Sequence, residues 1–505
     1  MRIKRNSMIR VPLGRALVTP RSRWAGYLVV FALVGGVFQS AEAVQRWERT
    51  YGRSDVYDQE GYDIRQLTDG SYAVCAEYDV GTWLIRLDSL GDTLWTRYYK
   101  PGGRCFGAVA QSLVLPDTSG LVMVGFLSDT HPDFAFAYVL RVSNSGDSVW
   151  ASKFSPDKQD AFGRDIAALP GGGFAVIAWH WTETGSMRAL VYKIDNLGHA
   201  LWFRDLGYGG ITFGEAVEGF PDGGMIVTGR CGAGPQGSAF LTRLDSMGGV
   251  AWQYTYGGYD MDGAWDVHVL GDGSILVGGT TYSWGAGLAD LWLFKTDSGG
   301  HLLWQRTFGG PDGDWLNRMW PTADGGCILA GQTLSFGAGD GDVYLVKADS
   351  AGTEQWSRTF GGQRADMALS VQQTSDGGYV VAGEAASFSI TGDNDVYVVK
   401  TDALGSTGVN EEPKTKGGLS KTPASLSEPT MMRSCELNSI LGKLSRGCRL
   451  TMFDALGRNV LVMESGKRSV SQAALQPSKE LRPGVYYVTL QAGPQSSRRK
   501  LILLH

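Results

Sequence analysis

The chain has 505 residues, of which 71 are glycine and 11% are aromatic, and its formal net charge at pH 7 is −5. A chain of this length is too long for one small core, so we expect two or three domains. The acidic balance argues against nucleic acid as a partner, because surfaces that bind nucleic acid carry an excess of Lys and Arg.

Residues 1–43 predict an export signal. The first 23 residues carry seven basic and no acidic side chains, Trp24–Phe38 is apolar, and Ala41-Glu42-Ala43 matches a small-x-small cleavage site. The apolar stretch is shorter than the ~20 residues that span a bilayer. We therefore expect cleavage after Ala43, an extracellular or outer-surface location, and no transmembrane segment in the mature chain. An uncleaved membrane anchor is the alternative.

Residues 44–405 repeat with a period close to 50 residues. Each period contains four short apolar or alternating segments separated by glycine-rich turns, which predicts one four-stranded antiparallel sheet. A fixed period of this length is typical of a β-propeller or a solenoid. Seven periods are present. Tryptophans in the same sequence setting mark them at Trp47, Trp95, Trp150, Trp202, Trp252, Trp304 and Trp356.

The strands favour a seven-bladed β-propeller. Val343–Val346, Tyr379–Ala382 and Val396–Val399 are apolar at every position, which indicates that both faces of their sheets are covered. Stacked propeller blades meet that condition, whereas a β-sandwich would leave its outer faces polar. Trp47–Tyr51 has the pattern of a fourth strand, and the seventh unit ends without one. We therefore predict that Trp47–Tyr51 pairs with Val396–Lys400 and closes the ring, which removes two open sheet edges.

An Asp-x-x-Gly-x-x-x-Trp signature recurs at the turn after the third strand, for example at Asp349, Gly352 and Trp356. We expect the Asp to cap its turn, the Gly to adopt a positive φ and the Trp to pack between blades. The signature resembles the tryptophan docking motif of quinoprotein propellers, which would imply a quinone cofactor and calcium. The structural roles explain all three residues, so we predict no cofactor. The repeats also resemble those of secreted bacterial propeller-repeat proteins.

The candidate ligand site is a ring of acidic and aromatic residues at one end of the predicted propeller. Loops that precede first strands and loops between second and third strands meet there. Its acidic members are Asp58, Asp160, Asp262, Asp314 and Asp366. Its aromatic members include Trp179, Trp181, Trp284, Phe336 and Phe388. Carboxylates can bind Ca²⁺, and aromatic rings can stack on sugars. Alternatively, each Asp hydrogen-bonds its own turn and each aromatic packs locally.

Two function classes follow from this reading. The first is an exported binding or scaffold module with a glycan or protein ligand and no catalysis. The alternative is a carbohydrate-active hydrolase or lyase that uses the acidic residues of the loop rim. A glycosidase would require two carboxylates ~5–9.5 Å apart over a cleft. A purely structural surface protein would have neither a cleft nor an aromatic platform.

The C-terminal part changes character. Residues 406–434 are rich in Ser, Thr, Pro, Lys and Glu, which predicts a solvated linker. Residues 435–505 return to short alternating segments, which predict a small Ig-like β-sandwich. Cys435 and Cys448 bracket its first strand, and in an exported chain they are the best candidates for a disulfide. Cys75 and Cys327 lie on apolar second strands, where we expect buried thiols.

A set of residues in this C-terminal part carries a resemblance to a secretion signal. The set comprises Phe453, Asp454, Gly457, Arg458, Gly484, Val485, Tyr486 and Lys500. Their order and their position near the end of the chain are similar to the C-terminal sorting domain of type IX secretion substrates. The resemblance implies that the secretion machinery is a partner. A generic secreted Ig-like module is the alternative.

Overall fold

The structure is a computed structural model built almost entirely of strands. The residues that it describes are 46–52, 59–78, 81–100, 108–117, 120–128, 135–156, 160–208, 210–232, 237–389, 393–407, 430–433, 448–454, 459–464, 484–492 and 495–504. The chain divides into two compact units, residues 1–412 and residues 413–505, and each is described by itself. Within the described ranges no helix is long or apolar enough to cross a membrane.

The described residues of the first unit form twenty-eight strands. The strand before the first complete blade is β1 (Trp47–Tyr51). The strands of blades 1 and 2 are β2 (Gly61–Gln66), β3 (Tyr72–Tyr78), β4 (Gly81–Leu87), β5 (Thr93–Tyr99), β6 (Ala108–Asp117), β7 (Gly120–Ser128), β8 (Ala135–Ser143) and β9 (Ser148–Phe154). The strands of blades 3 and 4 are β10 (Ala161–Ala168), β11 (Phe174–Trp181), β12 (Met187–Ile194), β13 (Ala200–Leu206), β14 (Thr212–Gly219), β15 (Met225–Cys231), β16 (Ser238–Leu244) and β17 (Val250–Tyr256). The strands of blades 5, 6 and 7 are β18 (Asp262–Val269), β19 (Ile275–Thr281), β20 (Asp290–Thr296), β21 (Leu302–Phe308), β22 (Asp314–Pro321), β23 (Cys327–Thr333), β24 (Asp342–Ala348), β25 (Glu354–Phe360), β26 (Asp366–Gln373), β27 (Tyr379–Ala385) and β28 (Asp395–Thr401).

These strands form seven four-stranded antiparallel sheets, and the ring closes as the sequence predicts. Six blades consist of four consecutive strands, and the seventh has the order β1-β28-β27-β26. The register of the closing pair runs from Trp47 opposite Lys400 to Tyr51 opposite Val396. The N-terminal strand therefore supplies the outer strand of the last blade and pairs with the edge of β28 that would otherwise be open.

The core lies between neighbouring blades. The first strands contact one another around the ring, including β2 with β26 across the closure, so they line the central axis. Second and third strands are buried along most of their length; β24, for example, is buried at every residue. Fourth strands such as β5 are mainly exposed. Apolar residues on both faces of the middle strands thus remove the flank of each blade from water, which is the main favourable term in folding.

The repeated Asp-x-x-Gly-x-x-x-Trp signature joins each blade to the next. In blade 6, Asp349 Oδ1 accepts the backbone N–H groups of Ala351 and Thr353 at 2.9 and 2.8 Å, and Gly352 has a φ of 75°. A side chain at Gly352 would lie 2.6 Å from the ring of Trp304 in blade 5. The same Trp–Gly contact occurs at all seven junctions, including Trp47 against Gly91 across the closure. All three predicted roles are confirmed, although only Trp47 is fully buried and the other six tryptophans are half-buried.

The second unit contains one five-stranded sheet in its described part, with the order β29-β33-β32-β30-β31. Its strands are β29 (Thr430–Arg433), β30 (Cys448–Asp454), β31 (Asn459–Glu464), β32 (Gly484–Ala492) and β33 (Gln495–Leu504). β29 runs parallel to β33, and the other neighbours are antiparallel. The β-sandwich thus stays a prediction.

Several predicted features of the chain ends fall outside the described residues. These are the export signal, most of the linker, Cys435, Gly457 and Arg458. The Cys435–Cys448 disulfide therefore stays a prediction. Within the propeller, Cys75 and Cys327 are buried thiols on second strands, as expected.

Candidate ligand-binding site

Each first strand carries a β-bulge near its middle. In β10 the pairing shifts between Gly163 and Asp165, and in β18 it shifts between Ala264 and Asp266. A bulge bends its strand and re-aims the side chains that follow it. The residues that follow the bulge form an axial ring. Its members in blade order are Asp63, Ser112, Asp165, Ala216, Asp266, Arg318 and Ser370.

Arg318 crosses the axis of the ring. Its guanidinium reaches from blade 6 to Asp165 of blade 3 at 3.2 Å and also lies 3.6 Å from Asp266 of blade 5. Burial alone would lower the pKa of Arg318, but the charges of Asp165 and Asp266 raise it. The side chain therefore stays ionised, and its ion pairs form a floor across the central channel.

The carboxylates of the axial ring also hold neighbouring blades together. Asp165 Oδ2 accepts the backbone N–H of Val217 at 3.0 Å, and Asp266 Oδ2 accepts that of Met319 at 2.9 Å. Burial raises the pKa of Asp165. Burial also acts to raise the pKa of Asp266, but the charges of His268 and Arg318 outweigh it and lower that pKa. Both acids are thus committed to contacts within the ring.

A cavity of about 830 Å³ opens above the floor formed by Arg318. It lies at the end of the propeller that carries the turns between first and second strands, which we call the turn end. The opposite end, with the predicted rim, is the loop end. Four side chains that face the cavity are Arg65, Glu218, His268 and Trp320. The volume falls within the ~300–1,000 Å³ that is usual for small-molecule sites.

The cavity walls are held in place by polar and aromatic contacts. His268 Nδ1 lies 3.2 Å from Glu218 Oε2, and its ring packs edge-on against Trp320 at 5.6 Å. Burial would lower the pKa of His268, but the carboxylates of Asp266 and Glu218 raise it to about 10. Arg65 lies 5.1 Å from the centre of the Trp320 ring. These contacts fix the positions of the side chains in the cavity wall.

The charges that line the cavity are balanced. Its basic side chains are Arg65, His268, Lys295 and Arg318. Its acidic side chains are Asp165, Glu218, Asp266 and Asp272. A cation or an anion would meet charges of both signs, and an apolar ligand would desolvate them at a cost. The site is best suited to a neutral polar molecule with both hydrogen-bond donors and acceptors.

At the loop end, three of the predicted carboxylates accept hydrogen bonds from the loops of their own blades. Asp262, Asp314 and Asp366 are the first residues of their strands, and each is fully buried. Asp314 Oδ2 accepts the Gly310 N–H at 2.7 Å and the Ser335 hydroxyl at 2.8 Å. Equivalent bonds join Asp262 to the loop before β18 and Asp366 to the loop before β26.

The other two predicted acids differ from these three. Asp160 precedes β10 and accepts the N–H of Ala135 in blade 2 at 2.6 Å, and Asp58 lies outside the described residues. The contacts of Asp262, Asp314 and Asp366 match the structural alternative, whereas Asp160 bonds to the neighbouring blade. Their ligand-binding role stays a prediction.

The predicted aromatic residues of the rim fall into two groups. Trp179 stacks on Phe162 with ring centres 4.4 Å apart, so it packs locally. The others each expose between a third and a half of their surface, namely Trp181, Trp284, Phe336 and Phe388. Tyr259, which the sequence analysis did not single out, is 96% exposed. The loop end therefore carries separate exposed rings, and none of the predicted rim residues that the structure describes lines the 830 Å³ cavity.

Sequence reasoning missed the cavity, although a signal was present. Asp165, Asp266 and Arg318 are charged residues at the same offset within the repeat, and each is followed by an apolar residue of its first strand. A charged residue in a buried strand marks a pair or a site. The described residues contain no group of three or more His, Cys, Asp or Glu side chains that could hold a metal ion.

No known family profile matches the sequence. One curated protein, the regulatory protein FlaEY of Caulobacter vibrioides, is 31% identical over 137 residues. That segment is 24% of this chain and 14% of the relative. The chain thus spans only a small part of that relative's length, and the match does not establish a family.

Solved structures with a similar arrangement include three of varied function. Sqt1 of Chaetomium thermophilum, bound to the N-terminus of ribosomal protein L10, is 14% identical, with 65% of this chain and 82% of that chain covered and a TM-score of 0.38. An α-L-arabinanase of Penicillium chrysogenum, complexed with arabinobiose, is 12% identical, with 70% and 95% covered and a TM-score of 0.39. A puromycin hydrolase is 16% identical, with 66% and 52% covered and a TM-score of 0.41. These scores carry no argument about function.

Proposed function

We propose that this protein is an exported binding module that takes a polar ligand in the axial cavity of its propeller. The observation that carries the proposal is the cavity of about 830 Å³, whose floor is closed by the Arg318 ion pairs. A preformed concave site with a few oriented polar groups is the usual form of a ligand pocket.

The ligand that fits this chemistry best is a saccharide. Glu218 offers an acceptor at the wall, and Trp320 offers part of an aromatic ring. The balanced charges of the cavity disfavour an ionic ligand. A sugar matches these groups because it is neutral, carries several hydroxyl groups and has an apolar face.

The test is a glycan-array screen with the full mature chain, followed by calorimetric titration of any sugar that binds. We expect Glu218→Gln to weaken binding at least tenfold, because it removes the charged acceptor and changes little of the shape. Trp284→Ala at the loop end is the matched control and leaves the affinity unchanged.

The outcomes separate the two ends of the propeller. Loss of binding in Trp284→Ala with normal binding in Glu218→Gln would locate the ligand at the loop end and refute the cavity. Failure of all glycans to bind would refute the saccharide proposal. Circular dichroism of each variant confirms that it is folded.

The export part of the proposal rests on residues 1–43 and on the sorting-domain resemblance of residues 435–505. The signal directs the chain through the inner membrane, and the C-terminal residues, including Phe453, Asp454 and Lys500, engage the secretion machinery. Deletion of residues 435–505 should leave the propeller in the periplasm. Normal appearance of the truncated protein outside the cell would refute sorting by this domain.

The geometry gives less support to the alternative, a hydrolase that uses the loop-rim acids. Asp262, Asp314 and Asp366 are buried, and each accepts hydrogen bonds from its own loop. A general acid or nucleophile has to reach its substrate within ~3 Å. These three carboxylates are therefore poorly placed for catalysis.

A further inference from the structure

Two blade junctions at the loop end each bring a pair of buried aspartates together. Asp290 of β20 meets Asp314 of β22 between blades 5 and 6, and Asp342 of β24 meets Asp366 of β26 between blades 6 and 7. Their exposed fractions are 1%, 0%, 2% and 0%. Asp290 and Asp342 each begin a third strand, and sequence analysis did not select them.

In each pair, the two carboxylates approach the same neighbouring glycine. A methyl group added to Gly309 would lie 2.1 Å from Asp290 Oδ1 and 2.6 Å from Asp314 Oδ2. At the next junction, a methyl group on Gly361 would lie 2.5 Å from an oxygen of Asp342 and 2.5 Å from an oxygen of Asp366. Both carboxylates of each pair therefore face the same small space above a glycine.

In the first pair, Asp290 and Asp314, not every carboxylate oxygen has a hydrogen-bond partner. Asp290 Oδ2 accepts the N–H groups of Ala286 and Gly287 at 3.0 and 3.2 Å, and Asp314 Oδ2 is bonded as described above. The Oδ1 atoms of Asp290 and Asp314 are buried and have no hydrogen-bond partner. Among the described residues no Lys, Arg or His forms an ion pair with either acid. A buried charged oxygen without a partner is costly.

Two other junctions serve as comparisons within the same ring. At both, a backbone N–H at the start of the first strand donates to a carbonyl just before the preceding third strand, as Asp314 does to Ala289 at 2.7 Å. Between blades 4 and 5, Asp262 occupies this position, β16 begins with Ser238, and Thr281 donates to Asp262 Oδ1 at 2.5 Å.

Between blades 7 and 1, the equivalent first-strand residue is neutral. Gln59 donates its N–H to the carbonyl of Asn394 at 2.8 Å, directly before Asp395. One acid is thus absent at each of these two junctions. Asp–Asp pairs occur between blades 5 and 6 and between blades 6 and 7.

We propose that the Asp290–Asp314 pair binds a calcium ion. Calcium takes carboxylate and carbonyl oxygens in flexible geometry, whereas Mg²⁺ demands near-ideal octahedral geometry and releases water reluctantly. Gly287, whose N–H donates to Asp290 Oδ2 at 3.2 Å, faces two backbone carbonyls: those of Gly310 and Asp312 lie 2.3 and 2.5 Å from the position of a methyl group on Gly287. The bound ion would fasten blades 5 and 6 to one another.

Thermal unfolding and calorimetric titration of the full mature chain test this inference, with CaCl₂ added after treatment with EDTA. At millimolar CaCl₂, in the ~10⁻⁴–10⁻³ M range of extracellular calcium modules, we expect Tm to rise by a few °C. MgCl₂ at the same concentration is expected to produce a smaller rise. The variant Asp290→Asn should lose the calcium response.

The matched control is Asp262→Asn, which changes an equally buried loop-end acid at a junction that lacks a second acid. It should be less stable than wild type but should keep the full calcium response. A shared proton is the competing explanation, because burial and the charge of Asp314 raise the pKa of Asp290.

Three results would overturn the proposal. The first is an Asp290→Asn variant that is more stable than wild type in EDTA, combined with a wild type that does not respond to calcium. The second is an unchanged calcium response in Asp290→Asn. The third is an equal response to magnesium. Saccharide binding is measured separately, so failure of either proposal is distinguishable from failure of the other.

Discussion

The two ends of the propeller use acidic residues in opposite ways. At the turn end, the carboxylates of Asp165 in blade 3 and Asp266 in blade 5 form ion pairs with Arg318 of blade 6. At the loop end, Asp262 and Asp366 bond to the loops that precede their own strands. The same first strands supply both sets, with the bulge between them.

This difference shows that residues with a local role in each blade and residues that contact one another across the ring have different sequence patterns. The loop-end aspartates recur in several blades because each satisfies a local loop. The axial residues differ from blade to blade, since opposite charges have to meet across the ring. Irregularity within a repeat was therefore the better indicator of a shared cavity.

Arg318→Met should have the largest effect on stability, because it leaves Asp165 and Asp266 buried without their shared cation. We expect a loss of ~3–5 kcal/mol in the free energy of unfolding, measured by chemical denaturation. Arg306→Met on the exposed strand β21 is the matched control and should change stability by ~0.5 kcal/mol or less. Equal losses of stability in the two variants would show that the ion pairs of Arg318 contribute no more to stability than an exposed arginine does.

Trp47→Ala should have the second largest effect on stability, because this side chain is 7% exposed and joins the closing strand to blade 1. Its indole N–H donates to the Ser89 carbonyl at 3.1 Å, and its ring contacts Tyr72 at 5.9 Å. We expect a loss of ~3 kcal/mol in the same measurement. Trp95→Ala, at a half-buried equivalent position, should cost less. The reverse order would contradict the importance of ring closure.

His268 should make the turn end sensitive to pH. Since its pKa is raised to about 10 in the folded protein, the stability that it contributes is fully present below pH ~6.5 and is lost as the pH rises toward 10. We expect wild type to lose on the order of 2 kcal/mol more than His268→Gln between pH 7 and pH 10. The measurement is denaturant unfolding at several pH values.

The control for this pH dependence is His301→Gln, since the His301 side chain is 72% exposed on a hairpin turn. It should follow the wild-type curve. Parallel curves for wild type and His268→Gln would contradict the assignment of an ionised histidine in the cavity wall.

Ser283→Ala should have the smallest effect, because it removes a contact within one loop-end segment. The Ser283 hydroxyl donates to Asp262 Oδ2 at 2.7 Å, and its loss should cost ~1 kcal/mol. Saccharide binding in the axial cavity should be unchanged. A change in that binding would show that the two ends are coupled.

The sequence by itself determined the seven blades, their strand order and the closure by Trp47–Tyr51. These features depend on local patterns: turn residues at fixed spacing, middle strands that are apolar at every position, and one extra fourth strand before the first unit. The Asp349, Gly352 and Trp356 signature was also readable, since each role concerns a turn or a contact with the adjacent repeat.

Only the tertiary structure decided where charged side chains from distant blades meet. Arg318 and Asp165 are separated by 153 positions in sequence, and their contact depends on the curvature of the ring and on the bulges in the first strands. The same reason applies to Asp290 and Asp314, which belong to different blades and converge only because stacking presses their loops together. Periodicity specifies each blade, but the geometry of the closed ring places its side chains.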